Sequence, residues 1–222
     1  MKILNLYAGI GGNRKLWGDS HDITAVELQP DIAAIYSDLY PNDTIIVGDA
    51  HEYLINHFEK FDFIWTSPPC TTHSRIRYCM TKAKNMGLKT QKKYPDLTLY
   101  QQIIFLKNYI KENQFFVVEN VLPYYEPLIA PTANFDRHLF WTNFKIPRKP
   151  KNNQGQNIEF LSTKKTHYGF SLNNYKTSIR KVQILRNLVN PELGLYLLNC
   201  ANGVFEYNDK LNEPELPFGS QN

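Results

Sequence analysis

Apolar and polar positions along the first two-thirds of the chain follow two periods in turn. Five short runs, "KILNLYA" (2–8), "DITAVEL" (22–28), "TIIVGD" (44–49), "FDFIW" (61–65) and "QFFVVENV" (114–121), are nearly continuously apolar and read as strands buried on both faces. Between them lie helix-like stretches: "DIAAIYSDLY" after Gln29 and Pro30, "AHEYLINHF", and "LTLYQQIIFLKNYIKEN" (97–113), with apolar residues at helical spacing. Pro30 falls at a first helical turn, where its missing N–H costs nothing. Strands alternating with helices predict βαβ units, hence an α/β fold with a mostly parallel, Rossmann-like sheet flanked by helices.

Three stretches break that rhythm. Residues 71–96 are polar and carry Arg75, Arg77, Lys82, Lys84, Lys89, Lys92 and Lys93, with no acid before Asp96. Residues 145–180 are rich in Lys, Asn and Ser and predict a small irregular or β-rich insert. Residues 208–222, "NDKLNEPELPFGSQN", predict a flexible tail. The expected organisation is a core over 1–144, the insert over 145–180 and a return segment over 181–207 that completes the core.

Composition narrows the class. The 222 residues suffice for one domain with a real core, and 42% hydrophobic with 21% charged residues fits a globular protein. No apolar run approaches the roughly 20 residues of a membrane span, and the N-terminus does not read as a signal peptide. Three cysteines without paired spacing argue against a disulfide framework and for a reducing, cytoplasmic setting. No Cys/His cluster has zinc spacing, so no metal is expected. The net charge of +4 permits a polyanionic partner without requiring one.

The candidate chemistry lies at the strand ends. "LYAGIGG" follows the first strand; Gly9, Gly11 and Gly12 allow a tight turn, and a following helix would aim N–H groups at an anionic ligand group. Glu27 ends the second strand, where an acid either holds ribose hydroxyls or is simply solvated. Asp49 ends the third, either as a helix N-cap or as a ligand group, and both roles can hold together. The fourth brings "SPPC", in which two prolines fix the backbone path to Cys70. A free cysteine is more often a small buried hydrophobe than a nucleophile, so Cys70 matters only if other chemistry gathers at that edge. The fifth strand brings "ENV". Glu119 there is either half of a structural ion pair or a functional acid.

"LYAGIGG", "VEL", "GDA", "SPPC", "ENV" and a late "RNLVNPELG" together resemble the DNA cytosine-5 methyltransferase family in order and spacing, over roughly residues 3–200. The resemblance implies a Rossmann-like methyltransferase that moves a methyl group from S-adenosylmethionine to C5 of cytosine, leaving S-adenosylhomocysteine. It implies Cys70 as nucleophile at C6 of a flipped base, Glu119 as the group at N3, and Arg137 as a further base contact. It also implies a cofactor pocket from Tyr7, Ala8, Gly9, Ile10, Gly11, Gly12, Glu27, Leu28, Asp49, Ala50 and Pro68, with Asn187 and Val189 returning to it. The expected partner is double-stranded DNA, gripped at its phosphates by the cations from Arg75 to Lys93. A partner subunit or a paired restriction endonuclease also fits.

The chain departs from the family in three places. Thr71, Thr72 and His73 follow the cysteine where the family has glutamine next. "FDRHLFW" offers Arg137 and His138 where the family carries two arginines. The stretch available for target recognition, residues 145–180, is short; within it Asn152, Asn153, Gln154, Gln156, Lys164 and Lys165 have the groups that read base edges. Three functions therefore remain open: a DNA cytosine-5 methyltransferase, its RNA (tRNA) counterpart, and a non-catalytic DNA-binding subunit of a split enzyme. The "SPP" start is also similar to amino-methyltransferases, but direct attack by an exocyclic amine has no use for a thiol.

Overall fold

The computed structural model describes residues 1–75, 94–135, 137–147 and 167–204. Seven strands form one sheet: β1 (Lys2–Leu6), β2 (Asp22–Glu27), β3 (Thr44–Val47), β4 (Phe63–Thr66), β5 (Phe115–Val121), β6 (Ala133–Phe135) and β7 (His138–Thr142), in the order β3-β2-β1-β4-β5-β7-β6. Strands β1 to β5 are parallel; β7 runs antiparallel to β5, and β6 antiparallel to β7. Helices α1 (Pro30–Leu39), α2 (Ala50–His57) and α3 (Thr98–Tyr109) connect the parallel strands; α4 (Lys181–Arg186) and α5 (Pro191–Ala201) follow the insert. This is the expected doubly wound sheet, and its order reverses between β1 and β4, where ligands of such sheets bind.

Period-two alternation sorts the strand residues between two cores. Ile3, Phe63, Trp65, Val117 and Phe140 pack with Leu193, Tyr196 and Leu197 of α5. Leu4, Leu6, Ile64, Phe116, Val118, Leu139 and Trp141 pack with Leu54 of α2 and Leu99, Ile103 and Leu106 of α3. Both faces are covered, which is why the strands read as unbroken apolar runs.

Boundaries differ from expectation for local reasons. The first strand stops at Leu6, because Tyr7 turns left-handed with φ 55°. The third stops at Val47 and the third helix at Tyr109. The helix expected after the glycine turn is a single 3-10 turn, Asn13–Leu16. The Asn13 side chain is tied back to Asn5 of β1 by a reciprocal amide pair (2.8 and 3.4 Å), and Gly18 turns away at φ 76°. Among the described residues of the insert, 145–147 and 167–180, there is no strand; a 3-10 turn at His167–Gly169 is its one regular element. The β-rich alternative is therefore not seen there. Residues 208–222 lie outside the described part.

Helix α5 crosses the 3-10 turn at backbone contact. A Cβ on Gly194 would lie 2.4 Å from the Asn13 carbonyl oxygen. Helix propensity alone makes Gly194→Ala stabilising by about 1 kcal/mol. The clash is with backbone and cannot rotate away, so overpacking wins, and the substitution is expected to destabilise by about 1–3 kcal/mol. Urea unfolding of the two proteins measures the sign; a gain in stability would contradict the contact.

Candidate active site

Strand β4 delivers the chain to the reversal point, and a set of hydrogen bonds then fixes its course. Ser67 N–H donates to the Leu6 carbonyl at 3.4 Å, and Trp65 Nε1 to Ser67 Oγ at 2.9 Å. Pro68 is buried, Pro69 has φ −53°, and Cys70 opens a one-turn 3-10 helix, Cys70–Thr72. From the neighbouring strand, Asn120 Nδ2 donates to the Pro68 carbonyl at 3.0 Å. Beyond the cysteine the two segments stay joined. Ser74 bridges Pro123, Tyr124 N–H donates to the His73 carbonyl at 3.2 Å, and Arg75 Nε donates to the Pro123 carbonyl at 3.1 Å. The His73 ring, 1% exposed, shares a short hydrogen bond through Nδ1 with the Tyr125 hydroxyl. Burial pushes its pKa below the ordinary histidine value, consistent with a neutral ring, and its Nε2 has no partner among the described residues.

Cys70 and Glu119 meet at the carboxyl edge of adjacent parallel strands. Cys70 is half-buried; burial and then the charge of Glu119 push its thiol above the ordinary value. Glu119 is 6% exposed, and its Oε1 lies 3.7 Å from His138 Nε2. The register explains the partner. Val121 stands opposite His138 and Glu119 opposite Phe140, so Glu119, Val121 and His138 share one face. The carboxylate's ion-pair partner on β7 is thus His138. Arg137 is exposed in the turn before β7, where its carbonyl accepts the Leu122 N–H at 2.7 Å.

The glycine turn, Glu27 and Asp49 lie at consecutive strand ends. Glu27 Oε2 accepts the Gly9 N–H at 2.9 Å and its Oε1 the Gln29 N–H at 3.0 Å. Asp49 caps α2, but both bonds, from the N–H groups of His51 (2.8 Å) and Glu52 (2.9 Å), fall on Oδ1 and leave Oδ2 for a ligand. Gly9 borders open space: nothing lies within 4 Å of a Cβ built on it. Leu28 is exposed, and Ala8 and Ala50 are buried. Gly11 and Gly12 are enclosed by protein, Gly12 against the Val189 carbonyl. Val189 is buried and Asn187 exposed at the end of α4, so the return segment does reach the turn. The Ile10 side chain is buried with Ile32, Ile35, Leu172, Ile184 and Leu188, which leaves its backbone to face the turn.

Tyr7 is fixed by residues the sequence did not single out. Gln102, fully buried on α3, donates to the Tyr7 hydroxyl at 2.8 Å, contacts His51 Nδ1 at 3.2 Å and accepts from Thr66 Oγ1 at 2.6 Å. A glutamine among the apolar positions Leu99, Ile103 and Leu106 was the available signal. Asn120 was visible inside "ENV", but its bond to Pro68 was not. Of the seven expected phosphate-binding cations, Arg75 is described and exposed; Arg77, Lys82, Lys84, Lys89, Lys92 and Lys93 lie outside the described residues, as do Asn152, Asn153, Gln154, Gln156, Lys164 and Lys165. Among the described residues no three His, Cys, Asp or Glu side chains gather as a metal group.

A family model described as C-5 cytosine-specific DNA methylase matches residues 1–125, more than half of the chain. No curated protein matches it. Among solved structures, a DNMT2 variant from Spodoptera frugiperda is similar at 24% identity and a TM-score of 0.37, covering 54% of this chain and 35% of that one. The chain thus spans about a third of that protein's length. A TehB-like SAM-dependent methyltransferase from Corynebacterium glutamicum is similar at 19% identity and a TM-score of 0.33, covering 54% of each chain. TrmN from Thermus thermophilus is similar at 12% identity and a TM-score of 0.35, covering 54% and 33%.

The electrostatics of Cys70 carry a measurable sign. A negative Glu119 disfavours the thiolate, so removing that charge must lower the thiol's pKa. Alkylation of the Cys70 peptide by iodoacetamide, followed by mass spectrometry against pH, is expected to titrate above the ordinary thiol value of about 8.5. In Glu119→Gln the midpoint falls, because the like charge is removed, and alkylation below it becomes faster. An unchanged midpoint would show that the two groups are not coupled.

Proposed function

The chain belongs to the C-5 cytosine-specific DNA methylase family, and on that premise we propose that it methylates C5 of cytosine in double-stranded DNA through a covalent bond from Cys70. S-adenosylmethionine is the methyl donor; when bound it supplies a sulfonium-activated, electrophilic methyl group. The observation that carries the proposal is that Cys70, after β4, and Glu119, on the adjacent strand β5, lie close enough for the charge of one to act on the other. The residues fit the cofactor: among the described residues there is open space at Gly9, Asp49 Oδ2 accepts no hydrogen bond, and the Glu27 carboxylate stands at the second strand end.

Each residue then has a chemical task. The Cys70 thiolate adds to C6 of the base, forming an S–C6 bond and making C5 an enamine carbon able to accept the methyl group. Glu119, acting in its protonated form, donates a proton towards N3, which draws electron density from the ring as the sulfur adds, and takes that proton back when the S–C6 bond breaks. His138 Nε2, beside Glu119, offers a second donor to the same edge of the base. After methyl transfer C5 loses its proton to a base, and the S–C6 bond breaks to restore the ring and the thiolate. Because Glu119 is buried, a cytosine must leave its stack to reach it.

Arg75 and the lysine-rich stretch after it supply non-specific affinity for phosphates, and the insert 145–180 supplies sequence choice. The core over 1–144 and the return segment 181–207 form the catalytic unit. No helix among the described residues is long and apolar enough to cross a membrane, and we place the protein in the cytoplasm, alone or beside a restriction endonuclease or partner subunit.

Duplex DNA carrying 5-fluorocytosine tests the reading, because fluorine cannot leave C5 as a proton does. The chain with S-adenosylmethionine is expected to form a denaturant-stable complex, and Cys70→Ser none. A complex that survives the substitution removes the assigned nucleophile. Trapping on 5-fluorocytosine RNA and not on DNA transfers the reaction to RNA, and trapping on neither overturns catalysis by this chain.

A further inference from the structure

The glycine turn is held from behind by a closed circuit of side chains from α1 and the start of β3. Gly11 has φ +75°, and a Cβ there would lie 2.3 Å from Tyr40 Cε2 and 2.9 Å from Tyr36 Cε2. The two tyrosine rings pack at 4.8 Å between centroids. The Tyr40 hydroxyl donates to the Gly11 carbonyl at 2.8 Å. The Tyr36 hydroxyl donates to Asp43 Oδ2 at 2.7 Å. Asp43 also takes both arms of Arg14, Nε at 2.8 Å and Nη2 at 3.0 Å. Arg14, three residues past Gly11 and only 3% exposed, lies over the Tyr40 ring at 5.0 Å and closes the circuit. Burial pushes the Tyr40 and Tyr36 hydroxyls far above their ordinary values, so both stay protonated donors.

One bond of this circuit sets the direction of a ligand group. A trans peptide is planar, with its C=O and N–H pointing opposite ways. Turning the Gly11 carbonyl to Tyr40 therefore turns the Gly12 N–H away from α1. Gly12 is buried, and its N–H has no hydrogen-bond acceptor among the described residues. Buried backbone donors are rarely left unpaired, so an acceptor from outside the chain is the natural partner. The 3-10 turn that follows is too short to attract an anion through a dipole, so individual peptide groups must do it.

We propose that Tyr40 is a positioning residue, which through the Gly11 carbonyl aims the Gly12 N–H at the carboxylate of S-adenosylmethionine. The proposal rests on that molecule being the methyl donor. It separates from a purely structural role by ligand chemistry, because only a ligand with a carboxylate can sense the peptide's direction.

Calorimetry on the full chain with two probes decides it: S-adenosylhomocysteine, and 5′-methylthioadenosine, which lacks the carboxylate. Tyr40→Phe is expected to weaken S-adenosylhomocysteine about five- to tenfold, as for a lost charge-assisted hydrogen bond, and to leave 5′-methylthioadenosine within about twofold. Tyr36→Phe, which removes a bond in the same circuit without touching the Gly11 carbonyl, should leave both affinities within about twofold. Equal weakening of the two probes by Tyr40→Phe, or an equal effect of Tyr36→Phe that follows the fall in melting temperature, overturns the proposal. A parent protein that binds neither probe overturns the cofactor reading first, and the role of Tyr40 with it.

Discussion

The side-chain amide of Asn120 donates to the Pro68 carbonyl at 3.0 Å, with both residues buried. Its other end is also used, since Oδ1 accepts the Val121 N–H at 2.9 Å. The pairing of β4 with β5 fixes strand register only as far as Thr66 and Val118; the thiol comes four residues later. The Asn120 bond carries the register past the end of the ladder. A buried carbonyl left unpaired costs about 1–3 kcal/mol, so the loop loses more by leaving this geometry than by keeping it. The two prolines remove most of the remaining freedom. The bridge between Ser74 and Pro123 and the bond from Tyr124 to His73 then close the far side of the loop. Cys70 thus sits on an arc pinned at both ends to the strand that carries Glu119.

That proximity has opposing effects. The carboxylate that would meet the base also raises the thiol, together with burial, so the resting site holds the cysteine in its less reactive form. In the proposed reaction Glu119 carries the proton that it gives to N3, so it is neutral while the sulfur approaches and does not then oppose the thiolate. His138, 3.7 Å from the carboxylate, is the other group placed to moderate that charge. The antiparallel pairing of β7 with β5 is what brings it there.

Sequence pattern alone located β1 to β5 and α1 to α3 because each spans enough residues for its period to repeat. It missed β6, which has three residues, and α4, which has six, because neither completes a recognisable period. Strand β7 was hidden for another reason: "HLFWT" is apolar, but its role depends on which residue of β5 it faces. The same dependence kept His138 from being seen as the partner of Glu119, since a shift of one residue in register moves a side chain to the other face. The strand-end acids were legible because a charged residue after an apolar run needs a reason to be there. Tyr40 and Gln102 were not, because each looks like an ordinary residue of its helix until its hydroxyl or amide is given a partner.

The return of the chain closes the core directly against the glycine turn. Gly12 meets the Val189 carbonyl and Gly194 meets the Asn13 backbone, so the return segment seals directly onto the glycine turn. Lys15 donates to the Tyr168 carbonyl and lies 4.4 Å from the Phe170 ring centroid. Asp31, in the first turn of α1, accepts the Ser178 N–H at 2.6 Å and its hydroxyl at 3.1 Å. Every one of these contacts joins described residues after the insert's start to residues of the first two βα units. The chain leaves the sheet after β7 and is recaptured from Tyr168 onward by residues of the first two βα units.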